Sequence, residues 1–196
     1  MRFWTPSFAP KIGLAYEVIV PEVGIRDKAN GAYNGGVGDP LTGFAIWYKP
    51  TEGSTLGFQS FLQIPVGANG ASDTNWKNLS SLLWYVSLPG KIGGTGDAGT
   101  VYQSERTSGF KPGLSIHTNN RIGLRVSSWL EPFIALDYET TKANDGAPKS
   151  WTFDGGAGLM FHMFDNQSIA VRYSTSFEGE NHSQNNSMVV KYAYVW

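Results

Sequence analysis

Apolar side chains recur at every second residue in many segments of this chain, and no other sequence feature constrains the fold as strongly. Successive side chains of a strand point to opposite sides of a sheet, so this period predicts strands with one apolar face. The clearest example is the C-terminal segment, where one face consists of Met188, Val190, Tyr192, Tyr194 and Trp196. The alternation therefore predicts an all-β, antiparallel protein.

We predict about ten strands, within a range of about eight to twelve, that close into a single β-barrel domain spanning residues 1–196. Residues 1–10 form an N-terminal segment, and residues 89–117 are expected to be irregular because Gly and Pro interrupt them. The strands are placed at 11–20, 41–49, 55–65, 79–88, 100–117, 121–128, 132–141, 151–163, 168–178 and 187–196.

The connections between these strands alternate in length, as they do in bacterial outer-membrane barrels with short periplasmic turns and long extracellular loops. With Trp196 at the periplasmic rim, the predicted extracellular connections are 179–186, 142–150, 66–78 and 21–40. The predicted periplasmic connections are 164–167, 128–131 and 50–54. The connection 89–99 is the exception, because it is long and falls on the periplasmic side.

The charged and small residues decide which face of the sheet meets lipid. Charged residues make up only 16% of the chain, whereas 24 residues are Gly and 14% are aromatic. Small residues interleaved with mixed charges are typical of a narrow lumen, which leaves the apolar face for lipid. The predicted charged network of the lumen comprises Lys11, Glu17, Arg121, Arg125, Asp137, Glu139, Asp154, Arg172 and Lys191. Arg121 and Arg125 are the expected partners of Asp137 and Glu139.

Aromatic residues lie at the ends of the apolar faces, as in the two interfacial girdles of a membrane barrel. The alternative is that they form the core of a soluble β-sandwich. The residues concerned are Trp47, Tyr48, Trp84, Trp129, Tyr138, Trp151 and Tyr192 to Trp196.

The composition excludes several classes of protein. The chain has no Cys, which excludes disulfides, thiolate metal sites and Cys nucleophiles. Its net charge of -1 does not indicate a nucleic-acid partner. It has neither an apolar run long enough for a transmembrane helix nor a signal peptide. A barrel protein needs a signal peptide, so we expect this sequence to be a mature or trimmed form.

No motif for catalysis or cofactor binding is found, and we predict that the protein is not an enzyme. Residues 94–99 match G-x-G-x-x-G, but no helical pattern follows, so they are expected to be a glycine-rich connection. The three histidines, His117, His162 and His182, do not have the spacing of metal ligands. His162 alternates inward and is interpreted as a hydrogen-bonded lumen residue.

The C-terminal segment resembles the targeting signature of outer-membrane barrel proteins, in which the insertion machinery reads the last strand. The features that carry this resemblance are the aromatic last residue, Trp196, and the apolar residues at every second position before it. The barrel insertion machinery is therefore an expected partner.

Three further segments resemble the barrel family associated with the meta pathway of phenol degradation. They are Val37-Gly38-Asp39-Pro40, Trp47-Tyr48-Lys49-Pro50 and Phe61-Leu62-Gln63-Ile64-Pro65-Val66-Gly67. The C-terminal strand pair, 168–177 and 187–196, is similar too, and the likeness covers most of residues 12–196. The resemblance implies passage of hydrophobic, often aromatic, compounds across the bacterial outer membrane. Family members usually have additional N-terminal sequence.

The leading hypothesis is therefore an outer-membrane barrel for passive passage of small, hydrophobic or aromatic molecules, without a cofactor. About ten strands enclose only a narrow interior, so a general porin is not expected. The expected partners are outer-membrane lipid and a small hydrophobic molecule, and an oligomer remains open. Two alternatives are an adhesion barrel that binds through loop residues such as Tyr33 and Trp76, and a soluble barrel that binds a ligand inside.

Overall fold

The computed structural model describes residues 2–4, 9–26, 33–66, 72, 75–144, 146–164, 167–184 and 186–194. Within these residues the chain forms thirteen strands, and no helix is long and apolar enough to cross a membrane. The strands are β1 (Arg2–Trp4), β2 (Ile12–Ile19), β3 (Glu22–Arg26), β4 (Tyr33–Val37), β5 (Leu41–Thr51), β6 (Ser54–Gln63), β7 (Lys77–Leu88), β8 (Ile92–Gln103), β9 (Ser115–Leu124), β10 (Leu130–Thr141), β11 (Ser150–Met163), β12 (Gln167–Glu180) and β13 (Asn186–Tyr194).

Eleven strands form one antiparallel sheet in the order β1-β2-β5-β6-β7-β8-β9-β10-β11-β12-β13. Each strand pairs with its neighbour along the chain, except that the separate β3–β4 hairpin lies between β2 and β5 in sequence. Residues from β7, β8, β9, β10, β12 and β13 line one common cavity, so the sheet curves around an interior. The all-β, antiparallel fold class predicted from the alternation is confirmed, with ten long strands and the short β1.

The connections divide the molecule into two ends. One, the short-turn end, has the connections 52–53, 89–91, 125–129 and 164–166. The other, the long-loop end, has the connections 20–40, 64–76, 104–114, 142–149 and 181–185. From β5 to β13 the connections at the short-turn end have two to five residues, and those at the long-loop end have five to thirteen.

The prediction that residues 89–117 are irregular holds for the turn 89–91 and the connection 104–114 but not for 92–103 and 115–117, and the long connection predicted at 89–99 was wrong. The chain turns at 89–91, and the G-x-G-x-x-G segment lies inside strand β8. A side chain on Gly96 would overlap the Trp84 ring, and one on Gly99 would overlap the backbone of Ser80. These glycines therefore permit close packing within a regular strand, and they do not break it.

The outward face of the sheet is apolar and the inward face is small or polar. Outward-facing Leu82 and Ile134 are 62% and 57% exposed, whereas inward-facing Phe133 and Ala135 are 6% and 3% exposed. This sheet exposes its large apolar side chains and buries its small ones. A soluble protein has the opposite distribution, with its large apolar side chains in the core. This arrangement matches the face assignment of a membrane barrel.

Aromatic pairs lie on the outer face near both ends. Trp129 and Phe161 stack at the short-turn end with ring centroids 6.3 Å apart, and Tyr138 and Trp151 lie 6.4 Å apart toward the long-loop end. Trp47, which we assigned to a girdle, instead faces the interior. It pairs with buried Gly13, and a side chain on that glycine would overlap the Trp47 ring.

Candidate functional site: the lumen and its ion pairs

The interior contains a cavity of about 440 Å³ midway along the strands. Its wall is mixed, because apolar side chains from β7, β10 and β13 alternate with charged groups from β8, β9, β10, β12 and β13. The residues that define its character are Leu83, Phe133, Val189, Asp97, Arg121, Asp137, Arg172 and Lys191. The cavity therefore offers both an apolar surface and fixed charges.

Asp137 and Arg172 form an ion pair across the cavity wall, in which Arg172 Nη2 donates to Asp137 Oδ2. Both side chains are only about one quarter exposed, at 24% for Arg172 and 23% for Asp137. Their remaining buried atoms, Asp137 Oδ1 and Arg172 Nε, have no hydrogen-bond partner among the described residues. The pair is thus largely desolvated, and each charge depends mainly on the other.

Arg121 lies between two cavities of the lumen. Its Nη2 is 3.4 Å from Glu131 Oε1, and its guanidinium lies 5.0 Å from the centre of the Phe133 ring. Glu131 also bonds to His162, whose Nε2 is 3.0 Å from Glu131 Oε2. Arg121 lines both the central cavity and a second cavity of about 380 Å³ at the short-turn end. This Arg121–Glu131–His162 cluster therefore separates the two spaces.

A second polar cluster lies on β7, β8 and β9. His117 Nε2 is 2.9 Å from Asp97 Oδ2 and 3.2 Å from Ser81 Oγ, and Asn119 Nδ2 donates to Asp97 at 3.0 Å. Ser81 is 4% exposed. These partners satisfy the Asp97 carboxylate, so it is held on the cavity wall.

The residues predicted as one charged network lie in separate places. Lys11 lies in the turn before β2 and donates to the Pro50 carbonyl, and Asp154 accepts a hydrogen bond from Thr152. Arg125 is exposed in the connection 125–129, and Glu139 is exposed on β10. Glu17 lies on β2, where it forms no ion pair among the described residues, and Lys191 lines the central cavity.

The predicted pairing of Arg121 and Arg125 with Asp137 and Glu139 was wrong. Arg121 pairs with Glu131, and Asp137 pairs with Arg172. Glu131 was missed because the predicted strand started at 132. The alternation along the strand could have identified this residue, because Glu131 has the same parity as Ala135 and Asp137 and therefore faces inward with them.

At the long-loop end, buried Asp39 connects the segment before β5 to the loop after β6 by hydrogen bonds. Its Oδ1 accepts the Val66 N–H at 3.0 Å, its Oδ2 accepts Gln63 Nε2 at 3.1 Å, and Ser72 Oγ also bonds to it. In addition, the backbone N–H of Ile64 donates to the Pro40 carbonyl at 2.9 Å. Two of the segments that carried the family resemblance, 37–40 and 61–67, are therefore in direct contact.

Strand β13 exposes the apolar face predicted for the C-terminal strand. Met188 and Val190 are 73% and 63% exposed. Tyr192 donates from Oη to Gln167 on β12, and the backbone of Tyr194 is paired with the same residue. Trp196 lies outside the described residues. Across the part of the chain that is described, no group of three acidic or His residues could hold a metal ion.

Comparison with known proteins identifies one family. The model of the family described as "Putative MetA-pathway of phenol degradation" matches residues 2–192. Among curated proteins no sequence matches. Seven chains of solved structures match, including the COG4313 outer membrane channel from Pseudomonas putida F1. That structure has a TM-score of 0.85 and 14% identity, and the match covers 97% of this chain and 79% of the channel. The likeness shows that the two chains share a fold.

Proposed function

Because this chain belongs to the phenol-degradation MetA-pathway family, we propose that it is an outer-membrane channel for passive passage of small hydrophobic, especially aromatic, molecules. The observation that carries the proposal is a cavity of about 440 Å³ on the inner side of a sheet whose outer face is apolar. Cavities of roughly 300–1,000 Å³ suit small ligands. The solved channel with the same fold supports the outer-membrane location.

The orientation follows from the two ends of the barrel. Periplasmic turns of bacterial barrels are short and extracellular loops are long. The short-turn end therefore faces the periplasm and the long-loop end faces outward. Lipid surrounds the aromatic pairs of the outer face, and β13 is the strand that the barrel insertion machinery would read. In this function the solute passes unchanged, and no residue performs a catalytic step.

The lumen supports selectivity for small solutes over bulk ion flow. The Arg121–Glu131–His162 cluster lies between the two cavities, and the Asp137–Arg172 pair spans the wall of the central cavity. A hydrated ion must pass both, whereas an apolar ring can rest on Leu83, Phe133 and Val189. The interior is thus suited to holding one small molecule at a time.

Whole-cell uptake of N-phenyl-1-naphthylamine, an apolar aromatic fluorophore, tests this function. Bacteria that carry the protein in their outer membrane should take up the fluorophore several-fold faster than matched cells without it. The protein level in the outer-membrane fraction is measured in parallel. Equal uptake rates with the protein present in that fraction would exclude the proposed function.

A further inference from the structure

The charged side chains that line the central cavity and the second cavity are not balanced. Among the residues that the structure describes, five of these side chains are cationic and three are anionic, which leaves an excess of two positive charges when histidine is neutral. The cations are Lys91, Arg121, Arg125, Arg172 and Lys191, and the anions are Asp97, Glu131 and Asp137. The inner half of the lumen therefore favours a negatively charged solute.

The three carboxylates already have partners, whereas three of the cations do not. The partners of the carboxylates are Arg172 for Asp137, Arg121 for Glu131, and Asn119 for Asp97. Lys91, Arg125 and Lys191 form no ion pair within the described part of the chain. The excess charge is thus carried by side chains that are free to bind a solute.

Two of these cations are held side by side at the short-turn end. The Arg125 N–H donates to the Lys91 carbonyl at 2.9 Å, and both side chains line the second cavity. Like charges opposite each other on neighbouring strands are destabilising, and an anion bound by both would remove that repulsion. Glu131, which lines the same cavity, is engaged by Arg121 and His162. The second cavity therefore has two cations available for an anionic group from outside the chain.

The third cation, Lys191, lies beside the apolar part of the central cavity. It is two residues from Val189 on the same face of β13, a separation of about 7 Å along the strand. Val189 shares the lining of this cavity with Leu83 and Phe133. A ring that rests on these three side chains therefore places a carboxyl substituent within reach of the long Lys191 side chain. One cation without an ion-pair partner matches a solute with one negative charge.

Resting on the proposed function, we infer that the solute selected by this lumen is a small aromatic monocarboxylate, of which benzoate is the simplest. Its ring rests on the apolar wall of the central cavity, and its carboxylate binds Lys191 there and then Lys91 and Arg125 in the second cavity. A carboxylate that leaves water for a narrow interior needs a counter-charge, which these three cations supply. A neutral aromatic solute leaves the three charges unpaired.

Reversal potentials in planar bilayers test this preference, because they report the charged form of the solute alone. In a gradient of potassium chloride, the parent channel should be at least threefold more permeable to chloride than to potassium. With chloride replaced on one side by benzoate or by acetate, benzoate should be the more permeant of the two. Acetate is smaller and has the same charge, but it has no ring to rest on the apolar wall.

Variants that remove single charges assign the effect to the lumen. Lys191→Gln and the double variant Lys91→Gln/Arg125→Gln should each lower the ratio of anion to cation permeability at least twofold. Lys191→Arg keeps the charge and should retain the parent ratio. Lys149→Gln is the matched control, because it removes an exposed lysine from the connection 142–149 at the long-loop end, outside both cavities. It should leave the ratio within the scatter of the parent protein.

The outcomes separate this inference from the proposed function. A cation-selective parent, benzoate no more permeant than acetate, or equal losses of selectivity for Lys191→Gln and Lys149→Gln would each overturn the inference. Faster uptake of N-phenyl-1-naphthylamine by cells that carry the same protein would then leave the proposed function standing. If the parent protein does not accelerate that uptake, the proposed function fails and the inference about its solute fails with it.

Discussion

Asp137 and Arg172 reach each other although their strands are not neighbours, since β11 lies between β10 and β12. The space is available because Gly156 and Gly158 face inward on β11 and have no side chains to fill it. A side chain on Gly156 would also overlap Ser174. The ion pair is thus made possible by residues that take no direct part in it.

Removing one member of this pair should destabilise the barrel. Arg172→Ala leaves the Asp137 carboxylate without its counter-charge, and an unsatisfied buried acceptor costs about 1–3 kcal/mol. Arg125→Ala, which removes an exposed arginine at the short-turn end, is the matched control and should have little effect. Urea unfolding of the purified barrel in lipid vesicles measures both. Equal losses of unfolding free energy for Arg172→Ala and Arg125→Ala would show that the ion pair does not stabilise the barrel.

The ion-pair partner of each charged side chain was the least predictable feature of the site. Alternation places Arg121, Asp137 and Arg172 on the inward face, but it does not say which of them meet. Those contacts depend on the stagger between strands and on the small residues between them. The sequence predicted a lumen with mixed charges, and parity alone places Glu131 on its inner face, whereas the pairing of Glu131 with Arg121 depends on the stagger between β9 and β10.

At the scale of whole strands, face assignment was predictable and strand boundaries were less so. The period of two continues through β10, β11, β12 and β13, and Ile134, Tyr173 and Met188, which were predicted to face outward, are among the exposed side chains. Strands β8 and β9 were misplaced because glycine was interpreted as a sign of loops. In β8 the glycines instead face aromatic and backbone atoms of β7, a contact between strands that composition does not reveal.

The faces of β12 offer a direct test of this assignment. Val171 faces outward and Ala170 lines the central cavity. An arginine on the lipid face near the bilayer midplane costs about 2–4 kcal/mol, so Val171→Arg should destabilise the barrel by that amount. Ala170→Ser should cost little, because a hydroxyl in the polar lumen finds partners. Similar unfolding midpoints for the two variants in lipid vesicles would contradict the face assignment.

For the whole molecule, the position of Arg121 between the two cavities predicts low ion conductance. Arg121→Ala should join the central cavity to the one at the short-turn end and raise the single-channel conductance in planar bilayers, since the two spaces meet at this side chain. The Arg125 side chain lines the second cavity but not the central one, so Arg125→Ala should change the conductance less. A parent conductance like that of a general porin, unaffected by Arg121→Ala, would contradict the role of Arg121 as a barrier between the two cavities.

The β3–β4 hairpin has a practical consequence. Among the strands that the structure describes, its two strands pair with each other alone, and at its base the Gly38 N–H donates to the Pro21 carbonyl at 2.8 Å. The chain therefore leaves the barrel wall and returns to it at adjacent points, on the end assigned to the cell exterior. A foreign peptide grafted between those points would not have to stretch or shift any strand of the wall. Residues 22–37 are thus a natural position for surface display of an epitope on living bacteria.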